Sequence, residues 1–272
     1  MDRPDSLRSL FRLWIARADA KTVTFVERLP RALERAVPWW ICAFLALVAL
    51  RIAATPATGH AASRGAHAYA DLLTVYGLIA LSPILALRLG QVIYRPGYRG
   101  IEPGLRLTFV GRWRQLDWDT AGRHPLYGPT GFMASLLLGM LLNVVFRSGE
   151  FLLAVPAMGH AAPDWGRVLF LAMAADVIVM NFLYVTCFVM ALRSAPMFPR
   201  MLAITWGLDI AMQLMVAQTV HAQGSLPAAV AAPLAALLEG NVQKVLISAA
   251  LWLPYLLLSD RVNITYRRRL AI

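Results

Sequence analysis

The sequence predicts an all-α polytopic membrane protein, with six transmembrane helices and an N-terminal amphipathic helix. Three observations carry that prediction. Hydrophobic residues are 59% of the 272 and charged residues only 15%, against roughly 45–50% and 25% in soluble domains. The apolar residues gather in six blocks, each close to the ~20 residues that cross a hydrocarbon core of about 30 Å. Basic residues fall between the blocks, concentrated in alternate connections, as the positive-inside rule requires.

Each element follows from its own residues. Residues 6–18, "SLRSLFRLWIARA", place Leu7, Leu10, Phe11, Trp14 and Ile15 on one helical face, with Arg8, Arg12 and Arg17 elsewhere. That pattern predicts a cationic amphipathic helix suited to an anionic membrane surface or to packing on another subunit. Charges interrupt its apolar residues, so it does not read as a secretory signal. The first span is residues 38–55, opening on Trp39 and Trp40, residues suited to the interfacial aromatic belt. The second is 69–89, with Arg88 near its exit. Residues 90–130 are the longest polar segment. They carry Arg95, Arg99, Arg106, Arg112, Arg114 and Arg123, an alternating piece "LRLTFV" that predicts a short strand, and "GRWRQLDWD", an interfacial composition. The remaining spans are 131–153, 168–192, 201–220 and 242–258. A short surface helix is expected between residues 227 and 239.

Four regions result: a cytoplasmic amphipathic segment (1–36), a two-helix membrane hairpin (37–90), a cytoplasmic basic loop (91–130) and a four-helix membrane bundle with a basic cytoplasmic tail (131–272). With the N-terminus inside, inner segments carry 20 basic residues and the outer side 3, Arg64, Arg167 and Arg147 toward the outer end of its span. This places both termini in the cytoplasm of a bacterial inner membrane. The net charge of +11 is therefore assigned to topology and to anionic lipid headgroups, not to nucleic acid. Arg8, Arg12, Arg112, Arg114, Arg267, Arg268 and Arg269 are the expected lipid- or partner-facing surface.

Charged residues inside spans are the candidate site. At about 1.5 Å per residue, Arg147, Glu150, Asp176 and Lys244 fall near one level toward the outer side, and Asp209 lies near mid-membrane. The four predict a polar layer of charge pairs or an ion or substrate site. Asp209 has no evident partner at its depth, so a neutral Asp209 bonded to Asn181 or a backbone carbonyl is expected. His60, His67, His160 and His221 fall on the outer side without ligand spacing, and Cys42 and Cys187 read as small packing residues. No metal, no cofactor and no catalytic residue set is expected, since no nucleophile, P-loop or zinc motif appears.

The C-terminal stretch "ALWLPYLLLSDRVNITYRRRL" sets Trp252, Pro254, Tyr255, Ser259, Arg261 and Val262 in order. It resembles the C-terminal motif of the YdgK-like bacterial inner-membrane proteins, a family without an assigned function. "ALRSAPMFPRMLAITWGLDIAMQ" is similar to that family's middle loop. "GPTGFMASLLLGM" occupies the place of its Gly-Gly-Trp opening but reads Thr130-Gly131-Phe132. The resemblance covers residues 128–269 and implies a four-helix bundle with no activity to carry over. Physically, Pro254 loosens the end of the sixth span, Tyr255 suits the interface, and Ser259 with Asp260 ends the apolar run.

Three functions are therefore weighed. The first is a non-enzymatic accessory or assembly protein with a possible protein partner in the membrane. The second is a small transporter or permease component using Asp209 and the Asp176/Lys244 layer, which requires a cavity reaching mid-membrane. The third is a lipid-acting membrane enzyme with residues near Arg112, Trp113, Asp117 and Asp119.

Overall fold

The computed structural model describes residues 4–54, 66–95, 97–100, 112–159, 162–222 and 226–272, with side chains from residue 21 in the first helix and residue 70 in the second. The helices are α1 (Pro4–Ala54), α2 (Ala66–Ile93), α3 (Trp118–Arg123), α4 (Phe132–Ala154), α5 (Asp164–Leu192), α6 (Phe198–His221), α7 (Ala228–Leu258) and α8 (Asp260–Arg267). Two short strands, β1 (Trp113–Gln115) and β2 (Arg269–Ala271), pair antiparallel. Six helices, α1, α2 and α4 to α7, are long and apolar enough to cross a membrane. The all-α polytopic expectation holds.

Two helices are longer than expected. The amphipathic segment and the first span form one 51-residue helix, about 77 Å long. The residues joining them contain no glycine, and Pro30 and Pro38 lie inside the helix without ending it. Likewise the expected surface helix at 227–239 and the sixth span are one helix, α7. The side chains of Arg8, Arg12, His60, His67 and His160, and the expected strand "LRLTFV", lie outside the described residues.

Burial sorts the helices. α5 packs against α2, α4 and α6; α7 packs on α6, and α1 on α2 and α4. The most apolar stretch of α5 is 56% buried, that of α1 and of α7 only 11%. α5 is thus the axis, and α1 and α7 are peripheral. Trp40 is tied inward, its indole N–H donating to Ala80 O of α2 (3.0 Å), while Trp39 is exposed. Ser82 Oγ donates to Ile178 O (2.6 Å), stitching α2 to α5. The 37–90 hairpin and the 131–272 bundle share their core.

That core has two halves. One holds Leu137, Val144, Met180, Phe188, Leu202, Trp206 and Leu256. The other holds Phe44, Tyr76, Phe151, Phe170, Val177, Val216 and Leu238. On four helices polar residues lie between the halves: Ser82 on α2, Arg147 and Ser148 on α4, Asp209 and Gln213 on α6, Asn241 and Lys244 on α7. On α5, Asp176 and Asn181 flank the same boundary. A polar layer therefore crosses the bundle between two apolar ones.

The chain's last residues close one end. Ser259 is extended (φ −66°, ψ 129°) and turns α7 into α8. α8 buries Val262, Ile264 and Tyr266. Tyr266 donates its hydroxyl to Ala191 O at the end of α5 (2.9 Å) and packs on Phe198 of α6 (5.0 Å between centroids). Burial pushes its phenol well up, which keeps it a donor. The expected basic tail is folded against the bundle. Arg268, in the left-handed region (φ 49°), lies over Trp118 (4.0 Å) and Arg269 over Trp113 (4.5 Å). These cation–π contacts and the β1–β2 ladder pin the tail to the basic loop.

Candidate functional site

The polar layer is one connected network. Arg147 lies fifteen residues into α4, about 22 Å from its start, and Asp209 eleven residues into α6, about 16 Å from its start. A guanidinium on a long side chain closes that difference. Arg147 Nη1 donates to Asp176 Oδ2 (2.9 Å) and Nη2 to Asp209 Oδ1 (2.5 Å). Arg147 is 11% exposed, Asp176 3% and Asp209 0%. Asp209 is not partnerless: it shares this arginine, and its other oxygen accepts from the Tyr184 hydroxyl (2.8 Å). Asn181, its expected partner, donates instead to Ser148 Oγ (2.9 Å).

The network extends outward through amides. Gln213 Nε2 donates to Asp176 Oδ1 (3.0 Å), and Asn241 Nδ2 donates to Gln213 Oε1 (3.2 Å). Lys244 Nζ reaches Asn241 Oδ1 (3.5 Å) and pairs with Glu150 (2.5 Å). Four helices, α4 to α7, thus meet through side-chain hydrogen bonds. Asp176 belongs with Arg147, and Lys244 with Glu150, not the reverse. Fully ionised, Arg147, Asp176 and Asp209 carry one excess negative charge, while Lys244 and Glu150 cancel. Buried carboxylates need such donors, because a bare charge in a low-dielectric interior is costly.

Beside the network lies a cavity of about 360 Å³. α4, α6 and α7 form its walls, with Tyr184 of α5. Its polar wall includes Asn143, Arg147, Glu150, Asn241 and Lys244; Trp206 and Trp252 line its apolar part. The Phe132–Trp252 stack (4.6 Å) bridges α4 and α7 toward one end, and the Lys244–Glu150 pair bridges them toward the other. Asn143 Nδ2 is buried without an acceptor. The volume is in the range of small-ligand sites.

The motif residues of the C-terminal stretch bound this region. Trp252 and Tyr255 pack on Phe132, and Arg261 donates to the Thr130 hydroxyl. Pro254 sits inside the last turns of α7. The two ends of the 128–269 segment are therefore in contact.

Other expected residues sit apart from the network. Arg112 and Arg114 are exposed, as a surface role requires. Asp117 caps α3, accepting from Thr120 N (3.1 Å); the Thr120 hydroxyl and backbone N–H hold its carboxyl below the usual range. Asp119, largely exposed, lies 3.8 Å from Arg99. Arg88 pairs with Glu34 (2.6 Å), and Arg51 donates to Val155 O (3.1 Å). Cys187 is buried and Cys42 exposed. Among the described residues no group of three or more His, Cys, Asp or Glu is placed to hold a metal ion.

Sequence reasoning missed Tyr184, Gln213, Asn143 and Asn241. The available signal was that each is a hydrogen-bonding residue inside an apolar block. No protein-family model, curated protein or solved structure matches this chain.

Proposed function

We propose that this chain is a multi-pass accessory protein of the bacterial inner membrane, both termini cytoplasmic, that acts by binding a membrane-embedded segment of a partner protein in the α4–α7 cavity. One observation carries this reading. Every carboxylate of the polar layer is held by a cation, Asp176 and Asp209 by Arg147 and Glu150 by Lys244. A carboxylate held this way is a poor general base or nucleophile. The network instead fixes four helices and presents a cavity with fixed polar edges.

Filling the cavity tests the proposal. Ser248→Trp is expected to leave the purified protein folded in mild detergent while abolishing co-purification of its partner. A wild-type chain that purifies as a stable monomer with no stoichiometric partner overturns it.

A second reading, a proton- or cation-linked transporter component, is favoured by Arg147 lining the cavity and by the excess negative charge behind it. The complete burial of Asp209 weighs against it. Reconstituted transport that is unchanged in Asp209→Asn sinks this reading.

A further inference from the structure

At the closed end of the bundle, Arg200 and Arg267 meet no acid among the described residues. Arg267 of α8 donates through Nη1 to Asn263 Oδ1 (2.8 Å), and Arg269 Nε donates to the same oxygen (3.0 Å). Two like charges are thus held on one neutral acceptor. Arg200, on the first turn of α6, is close enough to add its repulsion. Burial first, then Arg269 and Arg200, pushes Arg267 down to about 10. Neither Arg200 nor Arg267 forms an ion pair among the described residues, and Asp260 in the first turn of α8 is exposed.

Individual donor atoms here are buried. Arg200 Nη1, Arg267 Nη2 and the Asn263 amide nitrogen are all solvent-excluded and without an acceptor. Buried polar groups are nearly always hydrogen-bonded, and a cluster of donors lacking acceptors points to a missing anion. Guanidiniums match phosphate oxygens in geometry as well as charge. The site is built by packing, since α8 is anchored by Tyr266 on α5 and α6 and β2 by its ladder with β1.

We infer that Arg200, Arg267, Arg269 and Asn263 form a binding site for a phosphate-bearing anion at the basic end of the bundle, the level of the inner headgroups in the proposed topology. A lipid phosphate and a free phosphate share this chemistry. The site lies apart from the α4–α7 cavity, so neither assignment depends on the other.

The test uses the full chain, purified in neutral detergent and stripped of lipid. Thermal unfolding and binding are followed while adding short-chain phosphatidylglycerol, phosphatidylcholine or inorganic phosphate. Phosphatidylglycerol is expected to raise the Tm, and phosphatidylcholine is not. Equal stabilisation by inorganic phosphate identifies the free anion as the source; stabilisation by phosphatidylglycerol alone identifies lipid. Arg267→Gln and Arg200→Gln are each expected to weaken binding about tenfold or more, the loss of one charge-assisted hydrogen bond. Arg95→Gln, at an exposed position just past the end of α2, is expected to retain full affinity. The Arg200 side chain donates no hydrogen bond among the described residues, so Arg200→Gln keeps the test valid should Arg267→Gln misfold. Undiminished phosphatidylglycerol binding by Arg200→Gln, or equal binding of phosphatidylcholine by the wild type, overturns the inference.

Discussion

Arg147, between the two halves of the core, and Arg267, at the closed end of the bundle, are both guanidiniums drawn out of water, and their surroundings are opposite. Arg147 faces two carboxylates whose remaining oxygens accept from Tyr184 and Gln213. Arg267 faces other arginines and two neutral acceptors, Leu257 O (3.3 Å) and the Asn263 amide oxygen it shares with Arg269. The difference teaches how each region is completed. The middle layer supplies its own counter-charges, so it can hold helices together. The basic end supplies neutral acceptors only to Arg267 and, among the described residues, no acid to Arg200 or Arg267, so it suits an anion from outside.

Substitutions can break that contrast. Arg147→Met strands two buried carboxylates and is expected to cost about 3–5 kcal/mol, the range for breaking a buried ion pair from one side; reversible unfolding in mixed detergent measures it. A loss under about 1 kcal/mol would show that the carboxylates hold their places without the arginine. Tyr184→Phe removes one donor from a charged acceptor and is expected to cost about 1.5–3 kcal/mol, read in the same assay. Glu150→Gln breaks a half-exposed pair at the cavity edge. Its expected cost is below about 1 kcal/mol, and a much larger loss would place this pair with the buried layer. At the other pole, Arg200→Gln relieves repulsion and is expected to leave the Tm of lipid-stripped protein unchanged or raised. A lowered Tm would show that Arg200 is completed within the chain and would remove the contrast.

The polar layer was partly legible. Residue counting put Arg147, Glu150, Asp176 and Lys244 at one level, and the structure joins all four to one network. It left their pairing open because a count gives the height of a Cα, not the reach of a side chain or the rotation of a helix. Asp209 looked isolated for the same reason. Starting the fifth span at residue 201 also set it too shallow, since α6 begins at Phe198. The C-terminal arginines misled differently. "RRRL" after an apolar helix has the composition of a free anchor, and only the packing of Tyr266 and the β1–β2 ladder shows it folded back.

Six spans, their bounds to within a few residues apart from the extended first and last helices, and the basic bias of alternate connections came from the sequence alone. Both are one-dimensional properties: apolar run length is set by bilayer thickness and charge bias is counted along the chain. Which acid meets which base, where a cavity opens between α4 and α7, and that Arg200 and Arg267 meet no acid among the described residues were decided only by tertiary structure. Those depend on helix rotation, tilt and side-chain reach, which place residues such as Arg147 and Asp209 in contact across 62 positions of chain.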